Sequence, residues 1–204
     1  MRIGLQSWEN PLKRAKLRDR DIRQCFRREL ALKSPRGTVI VDEVGICQGT
    51  VRIDVAAVNE SFYGYELKSA ADSMKRLNNQ VEVYSKVLDY ASVVVSQNHL
   101  VGATERVRSW WGIYLVVERE GALDVETIRE PSLNGSLEVR ALAELLWHEE
   151  TLKLLEERGA LRGVKSKPRR FAWDRLVEVY SLDEIREAVR KKVRRRRKTA
   201  LRIK

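Results

Sequence analysis

The chain has 204 residues, 43% of them hydrophobic and 34% charged, which is enough for one substantial core beneath a densely charged surface. No apolar run approaches the ~20 residues a membrane span requires, and Met1–Asn10 lacks the apolar stretch of a secretory signal. A membrane partner is therefore excluded, and a cytoplasmic location is expected. The formal net charge of +11 is unevenly spread: residues 165–204 hold 16 Lys and Arg against 5 Asp and Glu, and residues 1–164 hold 24 of each sign. Such a terminal block reads as an electrostatic footprint for a polyanion. The blander reading is a solvated tail. Two cysteines, Cys25 and Cys47, and two histidines, His99 and His148, stand in no CxxC or HxxxH spacing. That argues against a zinc site and against a disulfide. Metal chemistry would then fall to oxygen ligands, which suit magnesium or manganese.

In chain order, residues 1–16 show no clear period and are expected to form a loose arm. From Leu17 to about Lys33 the recurrence of Ile22, Cys25, Phe26 and Leu30 predicts a helix, capped by Asp19 or Asp21 and broken at Ser34-Pro35-Arg36-Gly37. Three strands follow: Thr38–Ile46, rich in β-branched residues, then Val51–Asn59 and Phe62–Lys68, which alternate. In the second, Val51, Ile53, Val55 and Ala57 are expected on one face and Arg52, Asp54, Ala56 and Val58 on the other. Asn59-Glu60-Ser61 suits a hairpin loop. A helix is predicted over Ser73–Tyr90 on the stripe Met74, Leu77, Val81, Tyr84 and Leu88, then a buried strand at Ala91–Ser96. A short helix over Ala103–Arg108, a strand over Trp111–Glu118 and a β-like segment to Glu130 complete an α/β unit ending near 131. Beyond Pro131 the composition turns helical: Leu137–Arg158, breaking near Trp147 and stopping at Gly159, then Arg169–Tyr180, then a helix opened by the capping box Ser181–Glu184. The predicted organisation is thus an arm (1–16), an α/β domain (17–131), a helical module (132–190) and a basic tail (191–204).

The segment that carries chemistry runs from Asp54 to Lys68. A period of two puts Glu66 and Lys68 on one face of their strand. A hairpin centred on Glu60 sets Asp54 opposite Glu66, with Cβ atoms about 4.5–5.5 Å apart. Two carboxylates that close repel one another unless a cation lies between them, so they are placed to share a divalent metal, with the Leu67 carbonyl able to help. Lys68, one step along, reaches a phosphate or an attacking water. Phosphodiester hydrolysis needs this set: a metal to neutralise charge and a lysine to stabilise it.

Asp54 followed by Glu66-Leu67-Lys68 on the next strand resembles the PD-(D/E)xK nuclease superfamily. The order of helix, three-stranded meander, helix and strand is similar to its restriction-endonuclease-like core, although Ile53 stands where the motif has proline. Gln80 and Tyr84, at i and i+4, resemble the glutamine motif of its resolvase-like and RecB-like branches. Glu43-Val44-Gly45, Arg52-Ile53-Asp54, Gly64-Tyr65-Glu66-Leu67-Lys68-Ser69 and Trp110-Trp111-Gly112 look like a small bacterial and phage family within it, with the likeness spanning roughly residues 17–190. The resemblance implies a nuclease using Mg²⁺ (or Mn²⁺), in which Asp54 and Glu66 hold the metal, Lys68 and Gln80 support attack, and either Glu29 or Glu43 completes the site. Nucleic acid, DNA in the first place, is the expected partner. It would be held by Arg52, Lys75, Arg76, Lys167, Arg169, Arg170 and the run Arg194, Arg195, Arg196 and Arg197, by a single chain, a homodimer or a larger complex. The alternative is a catalytically inactive binding protein, or a subunit of a complex, that retains the fold.

Overall fold

The computed structural model describes residues 18–195 and the backbone of 201–202; the expected arm 1–16, Arg196 and Arg197 lie outside the described residues. The first helix, α1 (Asp19–Lys33), starts where Asp21 accepts the Arg18 N–H at 3.2 Å and ends at Ser34, ahead of Pro35. Next comes an antiparallel meander, β1 (Val39–Ile46), β2 (Val51–Val58) and β3 (Phe62–Lys68). After it follow α2 (Leu77–Tyr84), β4 (Tyr90–Ser96), α3 (Leu100–Arg106), β5 (Gly112–Arg119) and β6 (Ala122–Arg129). Four helices come next: α4 (Val139–Ala143), α5 (His148–Glu157), α6 (Arg169–Val179) and α7 (Leu182–Val193). A two-residue strand, β7 (Leu201–Arg202), lies beyond them. The strands form one mixed sheet in the order β6-β5-β4-β3-β2-β1-β7, with β3, β4 and β5 parallel to one another. The chain is thus α/β, as its pattern predicts.

The sheet buries both faces. Ile22, Cys25 and Phe26 of α1 cover one face, packed on Ile40, Val55, Ala57, Tyr65 and Leu67. On the other face α2 and α3 share a single core with α4–α7, through Leu142, Leu146, Leu155, Trp173, Leu176, Ile185 and Val189. Each such fully buried side chain contributes about 1.5–3 kcal/mol of transfer free energy. The helical residues 132–190 therefore pack as a layer on the sheet. The capping box of α7 forms between Ser181 and Glu184. Gly159, at φ +64, stops α5 with Ala160 N donating to the Leu155 carbonyl at 2.8 Å and Gly159 N to the Glu156 carbonyl at 2.9 Å.

The helix expected over 73–90 is shorter than its apolar stripe. A 3₁₀ turn occupies Met74–Arg76, and α2 ends at Tyr84. The reason is tertiary: the buried Asn134 side chain donates to the carbonyls of Ser85 (2.7 Å) and Leu88 (2.9 Å), satisfying a turn where helix would otherwise continue. That turn lies hard on the sheet, since a Cβ at Gly64 would fall 2.3 Å from Leu88 Cδ1.

Asp89, at the start of β4, ties the helical layer to the sheet. It is 2% exposed, accepts the Phe62 N–H at 2.7 Å, and receives Arg186 of α7 at 2.7 and 3.1 Å. Asp89→Ala leaves that buried N–H without its acceptor and Arg186 with only its exposed partner Asp183, so urea denaturation should register a loss of about 3–5 kcal/mol. Asp183→Ala removes an 86% exposed partner of the same arginine and should cost under about 1 kcal/mol.

Candidate active site

The site forms where β1 and β2 lose their regular alternation. On the α2 face, β1 buries Val39 and Val41 and then Val44 and Ile46, while β2 buries Ile53 and then Ala56 and Val58. Each set contains one interval of three, so each strand reverses its faces once. The ladder pairs Asp42 with Val55 and Val44 with Ile53, and skips Glu43 and Asp54 between them. Glu43 has φ +54, a left-handed conformation that turns the strand. The simple alternation expected for 51–59 therefore holds only up to Asp54. Likewise the β2–β3 ladder ends at Val55–Tyr65, one step short of pairing Asp54 with Glu66. Asp54 Oδ2 instead accepts the Leu67 N–H at 2.9 Å.

The gap between the diverging strands is a cavity of about 430 Å³ lined by Asp54, Glu66, Lys68 and Gln80, with Glu43 and Arg76 at its edge. On β3, Glu66 and Lys68 face α2, each 2% exposed. Lys68 Nζ donates to Glu66 Oε1 at 2.7 Å and to Gln80 Oε1 at 3.0 Å, and Gln80 Nε2 donates to Glu66 Oε1 at 2.6 Å. Tyr84 Oη lies 2.6 Å from Glu66 Oε2 and 2.7 Å from the Arg52 carbonyl, so its one proton serves only one of them at a time. Burial, then the ionised Glu66 nearby, pushes the Asp54 carboxyl up to about 7, against the pull of the Leu67 N–H and Arg23. Five carboxylates (Asp19, Glu43, Asp54, Glu66 and Asp72) and three cations (Arg52, Lys68 and Arg76) line the cavity. The excess of acid favours a further cation.

Arg23 of α1 had no mark in the sequence beyond its place one residue after Ile22. It donates through Nη1 to the Asp54 carbonyl at 2.7 Å and lies 3.8 Å from Asp54 Oδ1 and 3.4 Å from Glu43 Oε1. Arg27 holds Asp42 alongside. Of the two acids considered for completing the site, Glu43 lines the cavity, and its side chain is 46% exposed. Glu29 does not: it pairs with Lys33 at 2.7 Å and lines a separate cavity with Tyr63, Tyr65 and Tyr114. Its helix buries Phe26 on the α1 face, and Glu29, three residues on, follows that face. Among the described residues no cluster of three or more His, Cys, Asp or Glu side chains is arranged to hold a metal ion. The oxygen donors available are the Asp54 and Glu66 carboxylates and the neighbouring Leu67 carbonyl, a set that fits a hard ion keeping several of its own waters.

Of the expected nucleic-acid contacts, Arg52 stands exposed at the rim, 3.8 Å from Glu43 Oε2, and Lys75 and Arg76 are exposed in the turn before α2. Arg169 approaches the same side of the molecule, bonded to Gln48 at 2.7 Å. Lys167 and Arg170 flank it at the start of α6. Arg194 donates to the Gly37 carbonyl at 3.1 Å, away from the cavity, and Arg195 is exposed beside it. Trp111 is core: it is fully buried, stacks on Tyr84 at 5.8 Å, and donates its indole N–H to Ser85. No helix among the described residues is long and apolar enough to cross a membrane.

The family described as bacteriophage P4 protein cII matches residues 26–202, which include every residue of this site except Asp19 and Arg23. The chain belongs to that family. It is similar to Protein cII of Enterobacteria phage P4, 24% identical over 150 residues, which make up 74% of this chain and 56% of that protein. The chain therefore spans about half the length of the curated relative it matches. Among solved structures it is similar to the SPO1766 protein of unknown function from Silicibacter pomeroyi, at 16% identity and a TM-score of 0.42, covering 73% of this chain and 94% of that one. Asp54, Glu66, Lys68 and Gln80 of this chain all lie within the residues that the P4 cII family matches.

The raised Asp54 carboxyl has a thermodynamic consequence. The folded protein binds a proton here that the unfolded chain releases near pH 3.8, so stability falls as pH rises from that value through about 7. Asp54→Asn, which keeps an acceptor for the Leu67 N–H, should stabilise the metal-free protein by roughly 4 kcal/mol at pH 8 and by nothing near pH 3. Thermal melts across this range measure it.

Proposed function

We propose that the chain is a divalent-metal-dependent nuclease of PD-(D/E)xK type that hydrolyses phosphodiester bonds of nucleic acid, with DNA as the first substrate to test. One observation carries the reading: a half-buried Asp54, a buried Glu66 and a buried Lys68 converge in a cavity open to solvent, rimmed by exposed arginines. A folding core gains nothing from a half-buried carboxylate set beside a buried one.

Asp54 and Glu66, with the Leu67 carbonyl, are the groups that would hold Mg²⁺ or Mn²⁺. Bound there, the ion supplies Lewis-acid neutralisation of the phosphate charge. Asp54 must release its proton to take a cation, so cation affinity falls as pH drops through about 7. Lys68 uses two N–H groups on Glu66 and Gln80, which leaves the third for a phosphate oxygen or the attacking water. Gln80 fixes the Lys68 amine and Glu66 relative to one another. Arg52 and Arg76, at the rim, suit the flanking phosphates.

A second reading has an observation of its own. Both Glu66 oxygens are already met by Lys68, Gln80 and Tyr84, an arrangement that also serves a non-catalytic nucleic-acid-binding protein in which the network is structural.

Cleavage of plasmid and oligonucleotide in Mg²⁺, Mn²⁺ and EDTA separates the two. Under the nuclease reading the wild-type chain cuts only with metal, and Asp54→Asn, Glu66→Gln and Lys68→Ala each lower the rate by about 100-fold or more. Gln80→Ala should lower it less, because Gln80 touches the reacting groups only through Lys68 and Glu66. Binding without cutting would turn the assignment to the second reading, and full activity in Asp54→Asn would show that cleavage does not use this site.

A further inference from the structure

A second groove, of about 540 Å³, adjoins the cavity and shares Glu43 and Gly49 with it. Its outer wall comes from the helical layer: Trp147 between α4 and α5, and Arg169 and Trp173 of α6. Trp147 is 63% exposed. Trp173 is buried beneath two guanidinium groups, Arg140 at 5.1 Å and Arg169 at 5.3 Å from its ring centre. Arg169 is therefore held at the groove from two sides, by that ring and by Gln48.

The cations at the start of α6 face a groove that also holds Asp42, Glu43 and Glu144, but these carboxylates are already paired, Asp42 with Arg27, Glu43 with Arg23 and Glu144 with Arg140. The nearby acids of α6 are engaged elsewhere, Asp174 by Arg140 and Glu178 by Arg175. No ion pair joins Lys167, Arg169 or Arg170 to a carboxylate among the described residues. Lys167 and Arg170 lie over the Phe171 ring at 5.1 and 5.0 Å, and that ring is 36% exposed. Cations outside any ion pair beside exposed aromatic rings suit an unpaired strand, the cations meeting its phosphates and the rings its base faces. In a duplex the base faces are stacked inside, out of reach of an indole set in a groove.

We infer that this groove binds a single-stranded segment of nucleic acid leading from the Glu43–Gly49 rim, with a base stacked on Trp147 and a phosphate on Arg169. The substrate class would then be a nucleic acid with an unpaired strand, such as a tailed or frayed end. The inference rests on the nuclease reading of the adjoining cavity for its role and on the groove alone for its binding.

The test is binding in EDTA, where no cleavage occurs, of one single-stranded oligonucleotide, one tailed duplex and one blunt duplex. The full chain should prefer the first two. Trp147→Ala should weaken them by roughly tenfold and leave the blunt duplex unchanged. Trp147→Phe should restore part of the loss, which separates stacking from misfolding. Arg169→Ala should weaken single-strand binding and reduce the log–log salt slope by about 0.7. Equal affinity for tailed and blunt duplex, or an unchanged single-strand affinity in Trp147→Ala, overturns the inference even if the protein cuts DNA with Mg²⁺. Binding that depends on Trp147, in a protein that never cuts, supports the groove and removes only the nuclease reading.

Discussion

The burial of Glu66 is the constraint around which this face of the molecule is organised. A carboxylate that is 2% exposed would cost several kcal/mol if it lay alone. It is tolerated because Lys68, Gln80 and Tyr84 surround it with donors from two elements. Two of those donors sit four residues apart on α2, so the helix must lie over β3 with that one face down. The turn after α2 must then close onto Gly64, where a Cβ would run into the Leu88 side chain. The position of β4, and the anchoring of α7 through Asp89, follow from that turn.

Against this fixed group stands a second carboxylate whose surroundings were left open. Asp54 is held by one main-chain N–H and the flank of Arg23, at the point where two strands diverge. The left-handed turn at Glu43 leaves both strands unpaired there and opens a cavity instead of continuing the sheet. The contrast between an acid with every oxygen met and an acid held near neutrality gives the cavity two chemically different carboxylates. Different environments for paired acids are how one fold divides roles between them.

The helical layer does two jobs at once. Its apolar side joins the core of the sheet through Trp173, Leu176, Ile185 and Val189, and its outer side sets Arg169 and Trp147 next to the site. The positive charge concentrated in residues 165–204 is therefore partly spatial, since the cations at the start of α6 stand beside the acidic cavity. Arg194 is turned toward Gly37 instead.

Residue order alone determined the α/β class, the strands of the meander and the shared face of Glu66 and Lys68. Each of these depends on a period of two or 3.6 or on local capping, as at Ser181–Glu184 and Gly159. The i, i+4 spacing likewise made Gln80 and Tyr84 legible as neighbours. Tertiary structure alone decided the reversal of faces at Glu43 and Asp54, because a left-handed residue other than glycine leaves no trace in a hydrophobic pattern. It decided the early end of α2, imposed by Asn134 from 46 to 49 positions away in the chain. It also decided the parts of Arg23 and Glu29, two charged residues on one helix that the sequence could not rank. The packing of α1 sends Arg23 to Asp54 and Glu29 to another cavity, because side-chain destinations depend on how a helix lies on its sheet, and that orientation is a property of the whole core.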